Sequence, residues 1–297
     1  MKVAVTGASG LIGSALVPHL RASGHDVVRL VRRATTSQDE VRWDPVAGTV
    51  EPGGLDGIDG AIHLAAAGIG DKRWTEAYKR EVLDSRVLGT ATLARAMAEL
   101  DRKPAVLVSQ SAAGWYGDTG DTAVDESAPN AKGRFPADVV RAWEAAADPA
   151  RDAGIRVVHP RSGLVMTKHG GALKRMLPIV RLGGGGPLGS GRQYWPIISL
   201  GDELRALTYL LTSTLEGPVN VCIPEVPTNK DFTKALGHAL HRPTLLPAPG
   251  FAIKVVIGGF AEEVLASTRM VPRKLLADGF VFEDPTTDDV VRSALAG

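Results

Sequence analysis

The chain of 297 residues holds one cysteine, Cys222. No internal disulfide can form and no zinc cluster can be built from cysteines, a usage that fits a reducing compartment. Excess charge is missing too: 34 Lys and Arg face 33 Asp and Glu, a formal net charge of +1. No field of the whole molecule therefore favours nucleic acid or an anionic membrane, and any anion site has to be local. Long apolar runs are also absent. Residues 1–5 give way at once to Thr6-Gly7, too short for the hydrophobic region of a secretory signal, and no uninterrupted stretch reaches bilayer length. The expectation is a cytoplasmic protein with neither nucleic acid nor membrane as a partner. What is present suits a packed core: 44% hydrophobic and 23% charged residues, with 34 Gly and 19 Pro marking many turns. At about 150 residues per domain, the length allows two domains or one large domain with an appended lobe.

Short Val/Ile/Leu-rich runs at 3–5, 26–31, 61–65, 105–109 and 155–159 read as strands buried on both faces. Between them lie helical patterns at 11–23, 74–100 and 137–147, the first with Pro18 as an irregularity. Strand and helix alternate as βαβ units do, which predicts an α/β fold with a parallel sheet. The second half reads differently. Residues 183–191 are too rich in glycine for helix or strand, Thr228 with Asp231 resembles an N-cap opening a helix to about 240, and 251–265 is apolar enough for another helix.

The first strand runs into Thr6-Gly7-Ala8-Ser9-Gly10-Leu11-Ile12-Gly13, a GxxGxxG at a strand-to-helix turn. Glycines there permit a tight turn and close backbone approach to a pyrophosphate, whose charge is met by N–H groups at the helix N-terminus. Thr6, Gly7, Ser9, Gly10, Leu11, Ile12 and Gly13 are accordingly the expected phosphate-binding residues of a doubly wound, Rossmann-type sheet. At the end of the second strand, where a chain selective for NAD presents an acid, this one presents Arg32 and Arg33. Guanidinium suits a 2′-phosphate, so the expected cofactor is NADP(H), with either arginine as the one that binds. Leu64, Ala65 and Ala66 close a later strand with small residues over which the cofactor could lie. His63 beside them has two readings, a catalyst or, more commonly for a lone histidine on an apolar strand, a satisfied structural group.

These residues, with Ser109-Gln110-Ser111 and Trp115-Tyr116-Gly117-Asp118, resemble the extended short-chain dehydrogenase/reductase superfamily. A narrower likeness is carried by Trp43-Asp44-Pro45, Arg73-Trp74-Thr75, Ser85-Arg86-Val87, Trp143-Glu144-Ala145-Ala146, Gly186-Pro187-Leu188-Gly189-Ser190-Gly191-Arg192-Gln193 and Pro272-Arg273-Lys274-Leu275-Leu276. They resemble the atypical branch described as the nucleoside-diphosphate-sugar epimerase family, or as cell-division-inhibitor-like. The resemblance implies an NADP-binding domain over 1–163, completed by 196–225, with a smaller C-terminal lobe from 164–195 and 226–297 on the substrate side.

The superfamily works through a serine and a Tyr-x-x-x-Lys pair, the lysine lowering the pKa of a phenol that shuttles the proton. Ser111 matches the serine, but the pair is missing: where it should fall, near 135–141, stand Phe-Pro-Ala-Asp-Val-Val-Arg. Four residues beyond Tyr78, Tyr116, Tyr194 and Tyr209 lie Val82, Gly120, Ile198 and Ser213. The expected catalytic substitutes are Ser111 with Tyr116, whose phenol either donates to a carbonyl oxygen or only packs, and Lys79, which either supplies charge or is solvated. Arg161 and Arg192 are the expected contacts to a substrate phosphate or carboxylate, with structural ion pairs as the alternative. Relatives often carry a histidine at the place of Ser199, ahead of Asp202, which reads as an N-cap. Two functions remain open: an NADP(H)-dependent oxidoreductase or epimerase acting on a small carbonyl or sugar-nucleotide-like substrate, and a non-catalytic NADP(H)-binding redox sensor. A homodimer is a further possibility.

Overall fold

A computed structural model describes residues 1–296. Among the described residues thirteen strands form: β1 (Lys2–Thr6), β2 (Asp26–Val31), β3 (Glu40–Asp44), β4 (Thr49–Val50), β5 (Gly60–His63), β6 (Val106–Ser109), β7 (Ser111–Ala112), β8 (Ala123–Val124), β9 (Arg156–Ser162), β10 (Leu164–Met166), β11 (Ile197–Ser199), β12 (Gly217–Val221) and β13 (Arg269–Met270). The helices are α1 (Gly13–Ala22), α2 (Glu76–Glu99), α3 (Phe135–Ala145), α4 (Asp148–Asp152), α5 (Gly171–Arg181), α6 (Leu200–Thr212), α7 (Asn229–Ala239), α8 (Gly250–Ile257), α9 (Ala261–Leu265), α10 (Arg273–Ala277) and α11 (Thr287–Ala296).

The main sheet has the order β12-β9-β6-β5-β1-β2-β3-β4 and is parallel except for β4, while β7 extends the pairing with β9. The sheet is covered on both faces, as a parallel sheet built through helical crossovers must be. Alternation along each strand sorts the side chains. Val3, Val5, Ile62, Val106 and Val108 pack with Leu16 and Leu20 of α1 and Leu207 and Leu210 of α6. Ala4, Leu30, Ala61 and Leu107 pack on the other face with Leu93 and Met97 of α2. This is the doubly wound α/β arrangement the sequence predicts. Register aligns Thr6 with Leu30 on one side and His63 on the other, and His63 with Ser109. The carboxyl ends of β2, β1, β5 and β6 thus lie in one row, and the turns that follow them share one edge of the sheet. Among the described residues no helix is long and apolar enough to cross a membrane.

Several boundaries differ from the sequence reading, each for a local reason. The strand expected at 61–65 stops at His63 because the amides of Leu64 and Ala65 donate to the Thr6 hydroxyl instead of continuing the ladder. The helix expected over 251–265 is broken at Gly258, whose φ of 64° leaves the helical region, so α8 and α9 are separated by a single 3₁₀ turn. Thr228 does cap α7, its hydroxyl accepting from Asp231 N–H. The cap of α6 is Ser199 rather than Asp202: the Ser199 hydroxyl accepts from the Asp202 amide at 3.1 Å.

The division into domains also needs correction. Met166, Leu173, Leu177, Trp195, Phe232, Leu236 and Val290 do form a separate small core. Leu275, Phe280 and Phe282, however, pack into the main core beside α6, with Tyr209 and Phe280 in edge contact at 5.4 Å. Residues around 273–282 therefore return to the half that carries the main sheet, and β13 pairs with β8 across the same boundary. The glycine-rich segment 183–191 is irregular as expected and is held from outside. Leu188 N–H donates to Asn229 Oδ1 at 2.7 Å, and Gly189 and Pro187 exchange backbone bonds with Ala248.

Asp202 ties the chain's last turn to this frame. Its buried carboxylate accepts from Glu283 N–H at 3.0 Å, Asp284 N–H at 2.9 Å and the Arg205 guanidinium at 2.6 Å. Removing it strands two amides and a cation, so Asp202→Ala should lower unfolding free energy by about 3 kcal/mol. Urea denaturation measures this, and a change within about 0.5 kcal/mol would contradict the assignment.

Candidate functional site

The edge defined by the strand ends is built around the turn after β1. Gly7 adopts φ of 68°, and a Cβ there would stand 2.8 Å from Ala65 N. A Cβ on Gly13 would stand far inside van der Waals contact distance of Gly7 O. Glycine is thus required at both positions by backbone packed on backbone. Gly10 N–H donates to Gly7 O at 2.9 Å, closing the turn. Among the described residues, the N–H groups of Ser9, Leu11, Ile12 and Gly13 meet no acceptor. They gather at the N-terminus of α1, whose first turn carries no acid, so the helix dipole and free donors together favour an anion. A pyrophosphate fits this cradle.

Thr6 lies underneath and does not face the cradle. Its fully buried hydroxyl accepts from Leu64 N–H (3.1 Å) and Ala65 N–H (3.2 Å) and contacts His63 Nδ1 at 2.8 Å. With both lone pairs engaged, its hydrogen goes to Nδ1, which places the imidazole proton on Nε2. Burial pushes the His63 pKa down to about 4, so the ring is neutral, and Trp43 meets it edge-on at 6.1 Å. His63 is a buried, neutral structural group, but not a fully satisfied one: its Nε2 meets no hydrogen-bond partner among the described residues. Thr6 shapes the turn instead of touching ligand, which corrects its place among the binding residues. Leu64 and Ala65 are half-buried and Ala66 is exposed, leaving a low surface beside the glycine turn.

The two arginines after β2 separate. Arg33 engages the Glu40 carboxylate through both terminal nitrogens, at 2.8 and 2.5 Å. That guanidinium, with the Thr36 amide, holds the Glu40 carboxyl down at about 2. Arg32 is exposed and makes no hydrogen bond or ion pair among the described residues. Arg33 is committed to the strand frame and Arg32 is free, a distinction that adjacency in sequence hides.

The expected catalytic groups fare differently. Ser111 donates to Glu144 Oε1 at 2.6 Å, and Glu144 is gripped by Arg161 through Nε (2.8 Å) and Nη2 (2.9 Å). Arg161 is 2% exposed and stacks 3.8 Å above the Trp115 ring. Its Nη1 reaches the Tyr116 hydroxyl at 3.1 Å, and that hydroxyl donates to Asn220 Oδ1 at 2.6 Å. Arg161 is therefore an internal ion-pair partner and not a substrate contact. Tyr116 is 4% exposed, and burial pushes its pKa up to about 12, opposite to what proton transfer near neutrality requires. Its hydrogen is spent on Asn220, so the packing reading of Tyr116 holds and the catalytic one falls. Ser111 is 2% exposed and likewise committed. Lys79 sits on α2, paired with Glu76 at 2.9 Å and 5.6 Å from the Phe135 ring centre, a helix-surface ion pair and no catalyst. Arg192 is exposed on the glycine-rich segment and makes no ion pair among the described residues.

Sequence reasoning missed three acidic roles. Glu144 was visible only as part of a motif, yet it organises Ser111 and Arg161. Glu203 of α6 is fully buried, accepts from Ser162 Oγ at 2.7 Å, and burial raises its pKa to about 7. Glu263 of α9 lies beside Gly114. None stands in a pattern that spacing alone would flag. Tyr116→Phe should lower stability by about 1–3 kcal/mol, because Asn220 Oδ1 and the Arg161 Nη1 each lose a buried partner. Dinucleotide affinity measured by titration calorimetry should stay within twofold of wild type; a large loss of affinity would return Tyr116 to the ligand site.

Comparison with known proteins agrees with this geometry. Residues 3–222 match the profile of the NAD dependent epimerase/dehydratase family, and residues 248–294 match a domain of unknown function, DUF1731. The chain is 42% identical over 291 residues to the epimerase family protein MT2273 of Mycobacterium tuberculosis, covering 97% of this chain and 96% of that protein. The crystal structure of the human epimerase family protein SDR39U1 with NADPH superposes with a TM-score of 0.93 at 34% identity, covering 100% of both chains. A nucleoside-diphosphate sugar epimerase from Corynebacterium glutamicum gives a TM-score of 0.79 at 31% identity, over 99% of this chain and 58% of that one.

Proposed function

The chain belongs to the NAD dependent epimerase/dehydratase family, and from that premise we propose that it is an NADP(H)-dependent oxidoreductase or epimerase acting on a small carbonyl or sugar-nucleotide-like substrate. The observation that carries this reading is the set of four acceptor-free amides at the start of α1, with the unpaired Arg32 one strand away. The amides of Ser9, Leu11, Ile12 and Gly13 hold the pyrophosphate, and Gly7 and Gly13 keep the approach clear. Arg32 meets the 2′-phosphate through charge-assisted bonds, while Glu40 keeps Arg33 out of competition. The NADPH present in the human relative's crystal structure supports the same choice. Bound there, the cofactor supplies two-electron chemistry at its nicotinamide. Leu64, Ala65 and Ala66 offer a surface low enough for it to lie close. Arg192, exposed with no ion pair, is suited to an anionic group of the substrate.

A second reading, a redox-state sensor without turnover, is favoured by one observation. Ser111, Tyr116 and Arg161 are all bound to one another's partners inside the protein, so the expected proton-transfer set is closed. Incubation with NADPH and a panel of ketones, aldehydes and nucleotide sugars separates the two. Consumption of NADPH supports the enzyme, and tight binding without consumption of any member supports the sensor.

For the cofactor itself, Arg32→Ala should weaken NADPH at least tenfold, about 1.4 kcal/mol or more, with NADH affinity unchanged. Arg33→Ala should alter that selectivity far less. Equal weakening of both nucleotides by Arg32→Ala would mean that no 2′-phosphate is read there.

A further inference from the structure

With the expected phenol closed off, one half-buried acid near this edge is still held by nothing among the described residues. A dinucleotide with its pyrophosphate at the end of β1 and one half toward Arg32 must extend its other half over the carboxyl ends of β5 and β6. The chain that follows β6 and β7 there turns through Gly114. A Cβ on Gly114 would stand 3.8 Å from Glu263 Oε2, 3.4 Å from Pro136 Cβ and 3.8 Å from Val140 Cγ2. Glycine at 114 therefore leaves a gap the size of a single atom, bordered by this turn, by α3 and by the Glu263 carboxyl of α9.

The position of α9 is set by packing. Gly259 in the preceding 3₁₀ turn lets that turn close on the Trp74 ring, where a Cβ would stand 3.2 Å from Trp74 Cε3. Trp74 in turn meets Phe135 at 5.0 Å and Phe260 at 5.9 Å. Glu263 is half-buried, and among the described residues neither a hydrogen bond nor an ion pair reaches its carboxyl. Ser111 is held by Glu144 and Tyr116 by Asn220, while His63 Nε2 and Ser109 Oγ, which have no hydrogen-bond partner among the described residues, belong to fully buried side chains out of a ligand's reach.

We propose that Glu263 is the catalytic acid and base of this site, exchanging a proton with the substrate oxygen in the space left open by Gly114. The inference rests on the dinucleotide reading above and adds to it the group that moves the proton. In the reducing direction the O–H bond of the Glu263 carboxyl breaks, its proton passes to the carbonyl oxygen, and the bonding pair stays on the carboxylate. The electron pair and the hydrogen that reach the carbonyl carbon come from the reduced dinucleotide, and solvent reprotonates Glu263. Burial raises the Glu263 pKa to about 7, so both forms are populated at neutral pH. The charged groups that act on it are Arg134, at the start of α3, which favours the carboxylate, and Glu262 on its own helix, which opposes it.

The test reads protons rather than turnover. Oxidised nicotinamide carries a positive charge that the reduced ring lacks, so a neighbouring carboxyl should lose its proton when NADP+ binds and keep it when NADPH binds. Titration calorimetry at pH 7, in two buffers of different ionisation heat, counts the protons released by each nucleotide. The 2′-phosphate titrates in both and cancels in the difference. Wild type should release up to about half a proton more with NADP+ than with NADPH, since a group near its pKa is half protonated. Glu263→Gln should bind both nucleotides and show no difference, and Glu263→Asp should restore part of it. Equal release in wild type, or a difference that survives Glu263→Gln, would overturn the proposal. Failure of wild type to bind either nucleotide would instead remove the dinucleotide reading, and this inference with it.

Discussion

Everything at the ligand edge depends on how closely the turn after β1 can press against the end of β5. Gly7 and Gly13 have no room for a side chain, and Thr6 draws Leu64 and Ala65 inward through its hydroxyl. Because that oxygen takes both amides, β5 ends at His63 and the strand ends align in one row. The first amides of α1, which like those of any helix have no acceptor within it, open onto this same turn. A turn relaxed by one methyl group would satisfy its own backbone less tightly and present a differently shaped cradle. In the proposed site the pyrophosphate rests on steric economy and backbone amides, and a positive side chain, Arg32, serves only the 2′-phosphate, which suits a chain of net charge +1.

A second constraint acts deeper, behind β6 and β9. Arg161 is buried and has to be neutralised and hydrogen-bonded where it stands. Glu144 supplies the charge in a two-point contact, Trp115 the face, and the Tyr116 hydroxyl, itself held by Asn220, the remaining polar partner. Ser111 completes the acceptor demand of Glu144. A network of this kind fixes α3, β9 and the turn at 113–115 relative to one another. Its cost is that residues which resemble catalysts are unavailable for chemistry.

The sheet was legible in the sequence because parallel strands buried on both faces read as continuous Val/Ile/Leu runs, and β1, β2, β5, β6 and β9 all do. The edge strands β3 and β4 were not, since Glu40-Val41-Arg42-Trp43-Asp44 alternates charge with apolar residues over too few positions to stand out. The phosphate cradle could be read because glycine spacing reports a steric need directly. Side-chain roles were less visible, since they turn on partners distant in sequence. Nothing at 32–33 tells which arginine meets Glu40, and nothing at 116 announces Asn220, 104 residues away. Glu263 was hidden for the same reason, as it faces Gly114 only after the C-terminal lobe has folded back.

The central claim is that a side-chain-free contact between Gly13 and Gly7 creates the dinucleotide site. It is tested by measuring NADPH affinity of Gly13→Ala by titration calorimetry, with circular dichroism to follow the fold. The account predicts a loss of at least a hundredfold in affinity, about 2.7 kcal/mol, with helix content retained. Unchanged affinity in the folded variant would contradict it.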